Sequence, residues 1–332
     1  MDQLAYLGVN TTIRLLEQQL LNKDEFETLV KAPTIRVVLE GLQKTVYQAD
    51  VTNLLETKQF EQLLMTSLVA DYQTIIKEVP DKEIIQLFTS SYVYHNTKVL
   101  LKQQFSGKEL HHLCIPIGIS INTLERLVQL GDVDGVSPSL LEAVHGAISE
   151  YEEFHRLEAA DVFMDTYYFK ELRMLEKQLN NDTVTHMVNT MIDLYNVETL
   201  IRARKQKKSR AFLQTVLSSS GTVDKHQLID STEQENWEGL LELFDQVSYK
   251  DELATILLAE TVETAKVERL KDQVIYQLLQ DATFEAFGPL PVLAYLHAKE
   301  MEVKNLRLLL IGKDNGFSEE QLRERMRPIY EA

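Results

Sequence analysis

Three stretches of this 332-residue chain can be laid over one another: YHNTKVLLKQQ from Tyr94, LYNVETLIRAR from Leu194 and VKNLRLLLIGK from Val303. Their shared asparagines, Asn96, Asn196 and Asn305, stand 100 and then 109 residues apart. Around each, apolar residues return at helical spacing. They are Ile84, Leu87, Tyr94, Leu100 and Leu101 in the first copy, and Val184, Met187, Leu194, Leu200 and Ile201 in the second. In the third they are Leu293, Leu296, Val303, Leu309 and Leu310. Each copy therefore predicts one long amphipathic helix with one buried stripe.

The segments before these helices also correspond. NKDEFETLVKAPTIRVVLEGL, SINTLERLVQLGDVDGVSPSLLEAV and TVDKHQLIDSTEQENWEGLLELF each read as a short helix, a polar break and a second helix. A period near 100 is too long for a solenoid unit of ~20 to 50 residues, so the expectation is three copies of a small helical domain. Their bounds fall at 1–108, 109–210 and 211–332, with joins in the polar stretches QFSGKEL and RKQKKSR. With only 12 Gly and 7 Pro, the chain is poor in turn residues, which favours an all-α fold.

Charge and cysteine usage exclude several functions. With 34 basic against 51 acidic residues the formal charge is −17, which disfavours general nucleic-acid binding because phosphate contact needs a basic face. The single cysteine, Cys114, excludes an internal disulfide framework and a cysteine-based zinc site, and fits a reducing cytoplasm. MDQLAYLGVN does not read as a signal peptide, and no charge-free apolar run reaches the ~18 residues of a membrane span.

NLRLLLIGKDNG, Asn305–Gly316, invites a ligand-loop reading that fails on position. A phosphate loop needs a glycine where Arg307 stands and a hydroxyl where Asp314 stands; a calcium loop needs oxygen ligands where the chain has Ile311, Lys313 and Leu322. What remains is a helix ending at Gly312 or at Asn315–Gly316, followed by a capping box, Ser318 to Gln321, that opens one last helix limited by Pro328. Two E-x-x-H matches, Glu142 with His145 and Glu152 with His155, have the spacing of carboxylate-bridged di-iron helices. They lie ten residues apart along one helix, cannot face each other, and read as a solvated face. The adjacent His111 and His112 do not share a helix face. No nucleophile elbow, dinucleotide turn or zinc-protease motif is present, so no catalytic, cofactor or metal residue is expected.

RARKQKKSR, Arg202–Arg210, carries six positive charges in nine residues. Arg202, Arg204, Lys205, Lys207 and Lys208 either complement the C-terminal end of a helix dipole or meet an acidic partner or anionic headgroups. The lone Trp237 reads as a half-buried anchor of its own helix, with an interface role as the alternative.

From Phe287 to Gly316, FGPLPVLAYLHAKEMEVKNLRLLLIGKDNG resembles the C subunit of the bacterial and archaeal V/A-type rotary ATPases, a relative of the d subunit in eukaryotic vacuolar ATPases. The similarity rests on the Gly-Pro-Leu-Pro turn, Lys299-Glu300, Glu302, Asn305-Leu306-Arg307 and Gly312-Lys313, with support from AADVFMDTYYFKEL and AYLGVNTTIRLLEQQLL. It implies three helical domains in a pseudo-threefold funnel, peripheral on the cytoplasmic face of the membrane. Its partners would be the central-stalk subunits and the proteolipid ring, between which it transmits torque with no cofactor and no chemistry of its own. Asn305, Arg307, Gly312 and Lys313, with Asn96 and Asn196 from the other copies, would then be structural. The competing readings are a cytosolic helical scaffold and, more remotely, an enzyme with a composite helical site.

Overall fold

A computed structural model describes residues 3–233 and 237–331. Among these the regular structure is helical throughout, with no strand. The chain runs through α1 (Leu7–Glu17), α2 (Lys23–Lys31), α3 (Ile35–Leu42), α4 (Val51–Thr57), α5 (Phe60–Glu78) and the long α6 (Lys82–Ser106). It continues through α7 (Ile121–Leu130), α8 (Pro138–Phe154), α9 (Glu158–Leu179) and the second long helix, α10 (Asp182–Lys205). Then follow α11 (Arg210–Val216), α12 (Lys225–Glu233), α13 (Trp237–Glu242), α14 (Lys250–Leu257), α15 (Thr264–Leu279), the third long helix α16 (Leu290–Asp314) and α17 (Glu319–Arg325).

The short paired helices appear where the polar breaks place them, because each begins on a side chain able to accept from its own first turn. Asn22 and Glu25 close a full capping box at α2, and Thr34 caps α3 just after Pro33. Ser120 caps α7, whose end is set by Gly131 at φ 77°; Ser137 then caps α8 with Pro138 in its first turn. Each such cap contributes about 1 kcal/mol relative to alanine. The third pair, α12 and α13, flanks a break at 234–236 that lies outside the described residues.

α16 settles the choice of stop. It ends at Asn315–Gly316, where Gly316 takes φ 75°. Phe317 N–H donates to Gly312 O at 2.8 Å and Gly316 N–H to Lys313 O at 3.3 Å, the two bonds of a Schellman motif. Ser318 and Gln321 then form both halves of the expected capping box, and α17 ends at Arg325 ahead of Pro328.

All fifteen apolar positions expected on the long helices are buried. The expectation of a single stripe needs correcting. From Pro291 to Lys299 every residue of α16 is buried, and α10 buries residues on more than one face, so these helices are enclosed by neighbours on several sides. Two compact units emerge, Met1–Ile85 with Ile275–Ala332, and Gln86–Val274. In the first, α1, α3 and α5 pack on α16, and α17 bridges α16 and α2. In the second, α8 packs on α9, α10 on α9, α11 and α12, and a core of Leu100, Leu101, Leu124, Leu127, Val144 and Met164 forms. Burying each such side chain is worth about 1.5–3 kcal/mol before entropy is counted. No described helix is long and apolar enough to cross a membrane.

Candidate functional site

The three asparagines perform the same act. Asn96 Nδ2 donates to Ile115 O at 2.6 Å while its Oδ1 accepts from Ile115 N at 2.8 Å. Asn196 holds Ser218 in the same way at 3.0 and 2.9 Å, and Asn305 holds Arg327 at 3.1 and 2.7 Å. All three asparagines are at most 1 % exposed. A carboxamide carries one acceptor and two donors, so a single side chain satisfies both backbone groups of a residue that no helix or strand pairs. The held residue lies 19, 22 and 22 residues beyond its asparagine.

The intervening chain explains those numbers. Thirteen residues after Asn196 and Asn305 stand Ser209 and Ser318, which cap the two-turn helices α11 and α17. At the same place after Asn96 stands Glu109, which accepts from His111 N at 3.2 Å and opens only a 3₁₀ turn, His111–Leu113. The first link is shorter by three residues because that turn replaces a helix. Three residues past the held position, Gly118 and Gly221 press on the residue three before the asparagine. A Cβ on Gly118 would sit 2.6 Å from Val93 Cγ2, and one on Gly221 2.5 Å from Asp193 Oδ1. The expected domain joins at 108/109 and 210/211 fall inside these held segments, the second of them within α11.

The remaining signature residues secure the end of α16. Arg307 makes a two-bond fork to Glu61, 2.7 Å on each arm, and Lys313 Nζ donates to Val30 O in the last turn of α2 at 2.6 Å. Gly312 is required by packing: a Cβ there would lie 2.6 Å from Leu322 Cδ2 and 3.2 Å from Phe317 Cδ2.

About three turns before Gly312, Lys299 and Glu302 of the same helix join a buried ionic cluster whose distant members sequence reading does not supply. Lys299, 2 % exposed, lies 2.9 Å from Glu302 Oε1 and 3.5 Å from Asp71 Oδ2. Glu302 also accepts from Tyr47 OH at 2.7 Å and Leu21 N at 2.6 Å, and Asp71 accepts from Tyr295 OH at 2.8 Å. Burial, with the adjacent carboxylates, pushes the Tyr47 and Tyr295 hydroxyls far above the usual phenol range, so both remain donors. The cluster ties α16 to α5 and to the loop carrying Tyr47.

The basic run divides. Arg202, Lys205, Lys207 and Lys208 are exposed, with Arg202 3.9 Å from Glu198 and Lys208 over the Phe212 ring. Arg204 instead turns inward, half-buried, its guanidinium 4.6 Å from the centre of the half-buried Trp237 ring. Trp237 thus anchors α13 to the end of α10. The E-x-x-H residues lie along α8: His145 Nε2 meets Gly131 O, and His155 takes φ 54° as the helix's C-cap. Among the described residues no group of three or more His, Cys, Asp or Glu is arranged to hold a metal ion.

The profile of the ATP synthase (C/AC39) subunit family matches residues 9–325. The C subunit of the Enterococcus hirae V-type sodium ATPase is 35% identical, covering 99% of this chain and 100% of its own length. The C subunits of the A-type ATP synthases from Methanocaldococcus jannaschii and Thermococcus kodakarensis are 24% and 22% identical, over 97% and 96% of this chain and 86% and 89% of theirs. The match along nearly the whole chain, with a 35% identical relative covered end to end, establishes that the chain belongs to the ATP synthase (C/AC39) subunit family.

Proposed function

We propose that the chain is a rotor-coupling component of a V/A-type ion-translocating ATPase, a socket joining the central stalk to the proteolipid ring at the cytoplasmic face of the membrane. It transmits torque and performs no chemistry. The end-to-end correspondence with the C subunit of a V-type sodium ATPase carries this reading. The internal repetition supports it: torque passed between two bodies needs elements that do not slide, and each clamp fixes a long buried helix to the chain that follows it. On this reading the chain is built from three copies of one helical module, with edges near 108 and 210. The exposed members of the basic run, Arg202, Lys205, Lys207 and Lys208, are the partner-binding candidates, whereas the three asparagines, Arg307, Gly312 and Lys313 are structural. The test is gentle solubilisation of the ATPase from membranes. The chain is expected at one copy per assembly, together with stalk and ring proteins. Recovery free of both would overturn the reading.

A further inference from the structure

α1 and the 3₁₀ turn that leads into it, Gln3–Tyr6, are apolar on two sides. Tyr6, Val9 and Ile13 turn inward and are buried, whereas Leu4, Leu7 and Leu15 face solvent at 62%, 46% and 58% exposure. Gly8 lies on this outer side, and a Cβ there would meet nothing within 4 Å. A helical glycine costs up to about 1 kcal/mol relative to alanine, and no internal packing requires this one. Its place suits a surface that another backbone approaches closely.

The loop before α16 extends this surface. Arg14 donates to Ala282 O and Glu285 O, Asn10 to Ala286 O and Gly288 O, and Gly288 N–H to Gln3 O, so residues 282–288 run along α1. Leu7 lies three residues before Asn10 and seven before Arg14, which puts it on the helix side bordering that loop. Here stand Phe284 and Phe287, 88% and 47% exposed. The rim is acidic, with Asp281 and Glu285 exposed, while the Arg14 guanidinium is engaged by Glu17 and the loop carbonyls.

We propose that this side of α1, with Phe284 and Phe287, is a docking face for an amphipathic helix of another protein of the ATPase, one whose apolar stripe is bordered by basic residues. Charge complementarity selects the occupant, because an acidic rim on a chain of net charge −17 repels an anionic bilayer and attracts a basic protein segment. Gly8 sets the geometry by letting the partner helix approach the α1 backbone. The proposal rests on the rotor-coupling reading.

The experiment uses the whole ATPase, stripped of this chain and rebuilt with variants. A p-benzoylphenylalanine in place of Phe284 is expected to crosslink to a helical, apolar and basic segment of another protein in the assembly. Gly8→Leu should hold or raise the melting temperature of the isolated chain yet weaken reassembly about tenfold or more, as loss of a central contact does. Asp281→Lys with Glu285→Lys should weaken reassembly most at low salt. Crosslinks to lipid or to an acidic segment, no crosslink in an intact assembly, or Gly8→Leu reassembling like wild type would overturn the proposal and leave the rotor reading standing. So would binding of the isolated chain to phosphatidylglycerol vesicles that Phe284→Glu abolishes. Failure of the wild-type chain to reassemble would overturn both.

Discussion

Asn305 grips Arg327 by both of its backbone polar groups, donating to the carbonyl at 3.1 Å and accepting from the amide at 2.7 Å. The same two-bond grip joins Asn196 to Ser218 and Asn96 to Ile115. Replacing Asn196 or Asn305 by alanine removes the partner of a backbone donor and a backbone acceptor, and Asn96→Ala that of the Ile115 donor, whose carbonyl also accepts from Ile117 N at 2.8 Å; each should cost about 1–3 kcal/mol. Asn→Asp should not rescue, since a carboxylate cannot donate to the carbonyl. Urea unfolding of the three alanine variants measures this, and losses under ~0.5 kcal/mol at all three positions would remove the clamp's energetic role.

Lys299 and Arg307 share α16 but should behave oppositely. Lys299 is buried beside the buried Glu302 and the partly buried Asp71, so Lys299→Met leaves one buried and one half-buried carboxylate without their cation and should destabilise by about 3 kcal/mol or more. The Arg307–Glu61 fork lies in partial solvent, and Arg307→Ala should cost about 1 kcal/mol or less. Equal losses by thermal or urea denaturation would contradict this distinction.

Asp193 gives a pH signature. Burial raises its carboxyl above the ordinary 3.8, although Thr222, Val223 and Arg173 favour the charged form. Between that value and the higher folded one, the folded chain holds more proton than the unfolded chain. Asp193 therefore loses stabilising power as pH rises through this window. Asp193→Asn lacks that titration, so variant stability minus wild-type stability should rise with pH across it, whatever the constant cost of altered bonds to Thr222. A flat or falling difference in denaturation midpoints would refute the assignment.

Periodicity and caps make the helices legible: the buried positions of all three long helices, the paired short helices, and the capping box after Gly316 follow from local chemistry. What Asn96 and Asn196 hold is less visible, because dividing the repeats where the long helices end assigns the held residue to the following copy. A signal does exist, since Ile115-Pro116-Ile117 and Arg327-Pro328-Ile329 share Pro-Ile after the held residue. The middle copy reads Ser218-Ser219-Ser220 and obscures it. Of the Lys299 cluster only the i,i+3 partner Glu302 is local; Tyr47 and Asp71 come from chain more than 200 residues away, which no spacing rule connects to it. The inward turn of Arg204 likewise depends on Trp237, which no spacing rule joins to it.

For the basic run, Arg204 belongs with the fold and the test should leave it intact. Replacing Arg202, Lys205, Lys207 and Lys208 by glutamate should leave the melting temperature nearly unchanged, because these side chains are exposed. Affinity for isolated stalk or ring should fall, most at low salt, with each screened pair worth about 1 kcal/mol or less. Unchanged binding to both partners at two ionic strengths would reduce the run to a complement of the α10 dipole.

Rotor coupling is tested most directly by watching this chain turn. With Cys114→Ser as background and Lys108→Cys as the attachment point, a gold rod is fixed to it in the whole ATPase, whose stator is held on a surface. On adding ATP, a component that couples stalk to ring must carry the rod in one direction, stepping at the rate of ATP turnover. A rod that stays still while the same molecules hydrolyse ATP and rotate a second probe on the stalk would contradict it.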